Sequence, residues 1–139
     1  MSHKNLSLKT RLCLTAALLL VPAAAGLAAE HTKDSLETVK QNVAANKAVL
    51  VDVRDPIEWR GGHVVGAIQL PFSRIERKNV PPEVLGTLPK DRILYTYCVV
   101  GMRSKKAADV LEKLGYQVRP LKPGYDDLQK AGFPTAKGD

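Results

Sequence analysis

Cysteine is nearly absent from this 139-residue chain: there are two, Cys13 and Cys98. A disulfide framework and a Cys-x-x-Cys redox motif are both excluded by that count and spacing. Aromatic residues make up 5% of the chain, and no Lys/Arg block is interleaved with them. Nucleic-acid binding is therefore disfavoured. The three histidines, His3, His31 and His63, have no metal-ligand spacing. No internal repeat or low-complexity tract is present, and the length suits one domain.

Acidic residues are missing altogether before Glu30. That stretch instead holds Lys4, Lys9 and Arg11, then an apolar run from Leu12 to Val21, Pro22 and a segment, Ala23 to Ala29, rich in small residues. This is the layout of a secretory signal peptide, with cutting expected after Ala28 or Ala29 and export to a bacterial periplasm. An uncleaved membrane anchor is the alternative, but the apolar run is short for a span and contains Pro22. The expected organisation is a signal peptide over 1–29 and one domain over 30–139, with no membrane association after cleavage. Cys13 leaves with the leader, so Cys98 is a lone thiol in an exported chain. With three of 21 basic residues and none of 14 acids in the leader, the remainder carries a charge of +4. That is enough to help attract small anions.

What is present centres on Arg92–Ser104, RILYTYCVVGMRS. Ile93, Leu94, Tyr95 and Tyr97 have the composition of a buried strand. The loop from Cys98 to Ser104 follows, and then a helical pattern: Ala107, Val110, Leu111 and Leu114, ended by Gly115. The thiol thus stands where a strand gives way to a helix N-terminus, among inward-pointing N–H groups and at the positive end of the macrodipole. A thiolate there is stabilised and becomes a nucleophile at neutral pH. Gly101 permits the curvature, and Arg103 adds a permanent charge at the rim.

Elsewhere, Asp34 and Glu37 suggest a capping box opening a short helix with Leu36, Val39 and Val43 on one face. Ala48 to Val53 is a continuous apolar run, as in a parallel strand buried on both faces. Pro56 to Trp59 fits a brief helix, Gly61-Gly62-His63 a loop and Gly66 to Pro71 a short strand. Pro81 and Pro82 divide two helical pieces between Ser73 and Leu88, Tyr116 to Leu121 reads as a strand, and a last helix runs to Lys130 before Gly132. Strands alternating with helices imply a three-layer α/β sandwich with a mainly parallel sheet. Ligands bind beyond the carboxyl ends of such strands, where Cys98 lies.

Three blocks of this sequence resemble the single-domain rhodanese (thiosulfate sulfurtransferase-like) family. They are Asp52-Val53-Arg54-Asp55-Pro56-x-Glu58-Trp59, Gly62-His63-Val64-x-Gly66-Ala67-Ile68-x-x-Pro71, and Cys98-x-x-Gly101-x-Arg103-Ser104. With Gly124, Gly132 and Pro134 the resemblance covers about residues 48 to 135. Departures are Val65, where proline is frequent, and Pro123 and Tyr125, where Gly and Trp are common; they touch the pocket rim, not the nucleophile. The resemblance implies a rhodanese-like sandwich and transfer of a sulfane sulfur through a Cys98 persulfide. The donor would be thiosulfate or a persulfide, the acceptor cyanide or a thiol, in some cases a protein's. No metal or cofactor is implied. The persulfide would lie in the loop of Val99, Val100, Gly101, Met102, Arg103 and Ser104.

Four residues separate Cys98 from Arg103, whereas related dual-specificity phosphatases resemble this arrangement with a longer loop, so phosphatase activity is disfavoured. The remaining alternatives are a non-catalytic binding module and a thiol-redox enzyme. Individual residues have blander readings too. Cys98 could be a buried structural cysteine. Arg103 could pair with Asp52 or Glu58 or face the substrate. Asp52, Arg54 and Glu58 suit a buried polar network supporting the first strand's exit, with Arg54 also able to reach the pocket mouth. His63 suits a hydrogen-bonded turn better than a Cys–His pair. The apolar Val99, Val100 and Met102 suggest weak attraction for a dianionic donor and a preference for a persulfide or protein donor.

Overall fold

The computed structural model describes residues 27–77 and 80–139. The expected leader, with His3 and Cys13, lies outside the described residues as far as residue 26. Chain order is α1 (Leu36–Ala44), β1 (Ala48–Asp52), α2 (Pro56–Gly61), β2 (His63–Val64), β3 (Ile68–Gln69), α3 (Phe72–Ile75), α4 (Pro82–Leu85), β4 (Ile93–Tyr97), α5 (Met102–Lys113), α6 (Tyr125–Lys130) and β5 (Thr135–Ala136).

β1 is central because its residues are apolar on both faces. Parallel neighbours flank it in the order β3-β1-β4, with Val51 beside Ile68 and Leu50 beside Tyr95. Side chains alternate across this sheet. Val51, Val53 and Leu94 pack with Ala107, Ala108 and Leu111 of α5 and Ile75 of α3. Ala48, Leu50, Tyr95 and Tyr97 pack with Val39 of α1 and Leu128 of α6. Two apolar cores thus sandwich one sheet, giving the expected α/β layers with helices on both faces.

Local details differ from the sequence reading in three places. The cap of α1 is Ser35, whose hydroxyl accepts the Thr38 N–H at 3.1 Å. Asp34 is drawn away from the cap to Tyr95 (2.6 Å) and Arg119 (2.8 Å). His63 is not in a loop: with Val64 it pairs antiparallel with β5, a long-range partner that local pattern does not reveal. Residues 116–121 run beside β4 through one parallel bridge, Leu94 to Val118, in place of a full strand. The Arg119 and Leu121 amides donate to Leu94 and Thr96, and Pro120, whose backbone faces away from β4, accepts the Thr32 N–H.

Candidate active site

β4 ends at Tyr97 and α5 begins at Met102, so Cys98 to Gly101 form the turn between a buried strand and the start of a 12-residue helix. The turn is fastened on every side. Tyr97 O accepts the Val53 N–H at the exit of β1, and Cys98 O accepts the Tyr125 N–H at the start of α6. Thr96, fully buried, donates its hydroxyl to Ser104 O at 3.0 Å. The Ser104 hydroxyl lies 2.8 Å from Gly101 O and 2.7 Å from Leu121 O, so its one proton ties the helix start to the neighbouring segment.

Two glycines make the geometry possible. Gly101 has φ +90°, and a Cβ there would stand 2.6 Å from His31 Nε2 and 3.1 Å from the Lys122 backbone. Gly124 has an ordinary φ, but a Cβ would overlap the carbonyl of Val99. α6 can start against the loop only because that atom is missing.

Cys98 is 1% exposed at the edge of the α5-side core. Its sulfur nevertheless accepts the Gly101 N–H at 3.1 Å. Burial pushes the thiol pKa up, but hydrogen bonding from the amides of Ser104, Gly101, Val100 and Arg103 outweighs it, and the net shift is downward. The apolar side chains of the loop point the other way: Val99 is 47%, Val100 67% and Met102 65% exposed. The sulfur therefore faces main-chain dipoles, while the solvent side of the loop is apolar.

Arg103 turns to Glu58 of α2. Its guanidinium donates to both carboxylate oxygens, at 2.7 and 3.0 Å, and stands 3.5 Å from Asp55. Of the two partners the sequence allowed, Glu58 is the one used, so the arginine braces the loop. Asp52 is fully buried and holds Arg54 instead, at 2.6 Å. Arg54 also donates to Gly62 O at 2.7 Å and lies 4.3 Å over the Tyr125 ring. At 4% exposure it does not reach the pocket mouth. Burial opposes its charge, yet the hydrogen bond and charge of Asp52 more than offset this and hold the guanidinium ionised. His63 stacks on Trp59 at 3.7 Å between centroids and donates Nδ1–H to Trp59 O at 3.1 Å. Its ring is thus engaged by Trp59, and no hydrogen bond joins it to Cys98.

The structure adds His31, whose Nε2–H donates to Gly101 O at 2.9 Å. This carbonyl also lies within hydrogen-bond distance of the Ser104 hydroxyl. The partners stand 70 positions apart in the chain, and no sequence pattern links them. Asp55, beside Arg103, and Thr96 were likewise not legible as parts of the site. Among the described residues, no group of three His, Cys, Asp or Glu side chains is arranged to hold a metal ion.

A family model described as "Rhodanese-like domain" matches residues 35–131. The uncharacterized protein YqhL of Bacillus subtilis is 40% identical over 81 residues, covering 57% of this chain and 59% of that protein. A sulfurtransferase of Allochromatium vinosum is 35% identical over 100 residues, covering 70% of this chain and 88% of the relative. The solved structure of human single-domain sulfurtransferase TSTD1 superposes with a TM-score of 0.60 at 25% identity, over 76% of this chain and 97% of that one. The chain spans only part of some relatives, 59% of YqhL and 18% of the probable adenylyltransferase/sulfurtransferase MoeZ of Mycobacterium tuberculosis. The match over residues 35–131, which includes β4, the cysteine loop and α5, places this chain in the rhodanese-like domain family.

Proposed function

We propose that this chain is a sulfurtransferase that carries sulfane sulfur as a persulfide on Cys98, and that it works after export, freed of residues before the folded body. Relatives named as sulfurtransferases support sulfur transfer in general. The observation that carries the finer reading is the Cys98 sulfur, held 3.1 Å from the Gly101 N–H at the start of α5 with its pKa lowered by main-chain amides.

In the first step the Cys98 thiolate attacks the outer sulfur of the donor. A new S–S bond forms while the donor's own bond breaks, its electron pair leaving on sulfite or on a thiolate. The terminal sulfur of Cys98–S–S⁻ carries the negative charge towards the loop amides, preorganised donors that need not rearrange. In the second step cyanide or a thiolate attacks the outer sulfur and Cys98 leaves as thiolate. Charge and electrons balance within each displacement, so ping-pong kinetics are expected. Ionised Cys98 needs no general base, which suits the absence of a hydrogen bond from His63.

The test is to incubate the purified protein with thiosulfate or a low-molecular-weight persulfide and record its mass. A gain of about 32 Da, one sulfur atom, that cyanide removes as thiocyanate and Cys98→Ser abolishes is expected. Failure to acquire sulfur from either donor would leave a docking module as the better reading. Partner binding unchanged in Cys98→Ser would then be its mark.

A further inference from the structure

The segment ahead of α1 carries a feature that sulfur transfer does not use. Leu27 is 90% exposed and Ala28 is exposed, yet Ala29 is 6% exposed and packs in the core that holds Ala107, Ala108 and Leu111. The Ala29 N–H donates to the Asp109 carboxylate on α5. Among the described residues Asp109 has no ion pair with a side chain. The other charged groups on this face are Glu112 and Lys113, one turn along, and Lys105 and Lys106, which line a shallow groove with Asp109. Burial and then the Asp109 charge push the Glu112 carboxyl up. Lys105 itself is 3.6 Å from Glu30. A carboxylate without a side-chain cation thus meets the backbone nitrogen of a residue at the expected leader boundary.

We propose that the exported chain begins at Ala29 and that its new α-ammonium group forms an ion pair with Asp109. This rests on reading the preceding residues as a removed leader. Hydrolysis of the Ala28–Ala29 bond adds water's OH to the Ala28 carbonyl and a proton to the Ala29 nitrogen, which becomes an ammonium at neutral pH. Cutting there puts Gly26 and Ala28 at the two positions that need small side chains. Cutting one residue later puts Leu27 at the first of them and removes a buried methyl from the core. Leader removal acts on the unfolded chain, so burial of Ala29 follows the cut. The anchored end has a consequence for the site. Thr32 N–H donates to Pro120 O at 2.8 Å and His31 to Gly101 O at 2.9 Å, so the segment pinned at Asp109 backs the cysteine loop.

Expression of the full chain in a Gram-negative host, followed by intact mass and N-terminal sequencing of the periplasmic protein, reads the cut directly. A first residue of Ala29 is expected. A start at Glu30 or any other residue overturns the pairing while leaving the leader reading intact, and an uncut chain overturns both. Sulfur loading of Cys98 is scored separately, so its failure is distinguishable from either. The pairing is read from chains beginning Ala29 or Gly-Ala29, each with Asp109 or Asp109→Asn. The extra glycine displaces the ammonium and is expected to lower Tm by about 3–6 °C with Asp109 and to change nothing in Asp109→Asn. An equal fall in both backgrounds, or none in either, overturns it.

Discussion

At the scale of single residues, Cys98 is where opposed forces are decided. Burial favours the neutral thiol, and the amides of Ser104, Gly101, Val100 and Arg103 favour the thiolate by more. Alkylation of Cys98 followed against pH should therefore show a midpoint below the roughly 8.5 of a free thiol. Because the folded pKa is the lower one, the unfolded chain binds more protons between the two values. Stability should rise with pH across that window, and Cys98→Ser should lack the rise. The loop's outward residues make a second prediction. Arg103 is committed to Glu58 and Arg54 to Asp52, while Val99, Val100 and Met102 meet solvent. A cation placed on that rim, as Val100→Lys or Met102→Lys, should raise kcat/KM for thiosulfate about 3–10-fold relative to an alkyl persulfide. Equal efficiency of the wild type with both donors would count against the apolar rim as a selector.

At the scale of elements, the loop is held by what surrounds it. α2 contributes Glu58 and Asp55 to Arg103, α6 begins against Cys98 O, and β1 receives Tyr97 O. The hydrogen bond from Arg103 chiefly lowers the Glu58 pKa, against the opposing effect of burial. A carboxylate with a lowered folded pKa stabilises the protein above its unfolded value and loses that contribution as pH falls through the folded one. Both partners are nearly a third exposed, so the brace is worth on the order of 1 kcal/mol. Glu58→Gln should cost about that much at pH 7, and the difference from wild type should shrink below pH 4.5, the ordinary value for glutamate. Urea unfolding at several pH values measures it. Asp34 adds to the same acid-side loss, its pKa lowered chiefly by the hydrogen bond from Tyr95 and then by Arg119.

At the scale of the molecule, the sheet separates the two apolar cores and the site lies where the strands of that sheet end. This division permits a test of stability apart from chemistry. Leu111, fully buried on α5, lies about two helical turns beyond Ser104 at the end of the loop. Leu111→Ala should cost about 2–5 kcal/mol by leaving a cavity, seen as a lower urea midpoint. The alkylation midpoint of Cys98 should stay unchanged below the transition. A shift in that midpoint would mean that the amide ring depends on packing throughout the α5 side.

Local sequence determined the elements with the strongest short-range signals. The apolar, β-branched and aromatic runs Ala48–Val53 and Ile93–Tyr97 have the composition of strands buried on both faces, and the helical pattern after the second puts the thiol at a strand-to-helix turn. The alternation of elements determined the sandwich, and the three motif blocks the family. Tertiary structure alone chose Glu58 over Asp52 as the partner of Arg103, put His63 into a strand with Thr135–Ala136, and moved Asp34 from a cap to Tyr95 and Arg119. It also brought His31 to Gly101 and Ala29 to Asp109. The physical reason is common to these cases. Chain pattern encodes which side chains must leave water, but the pairing of polar groups depends on which segments folding brings within about 3 Å, and loop closure at these separations leaves no local trace.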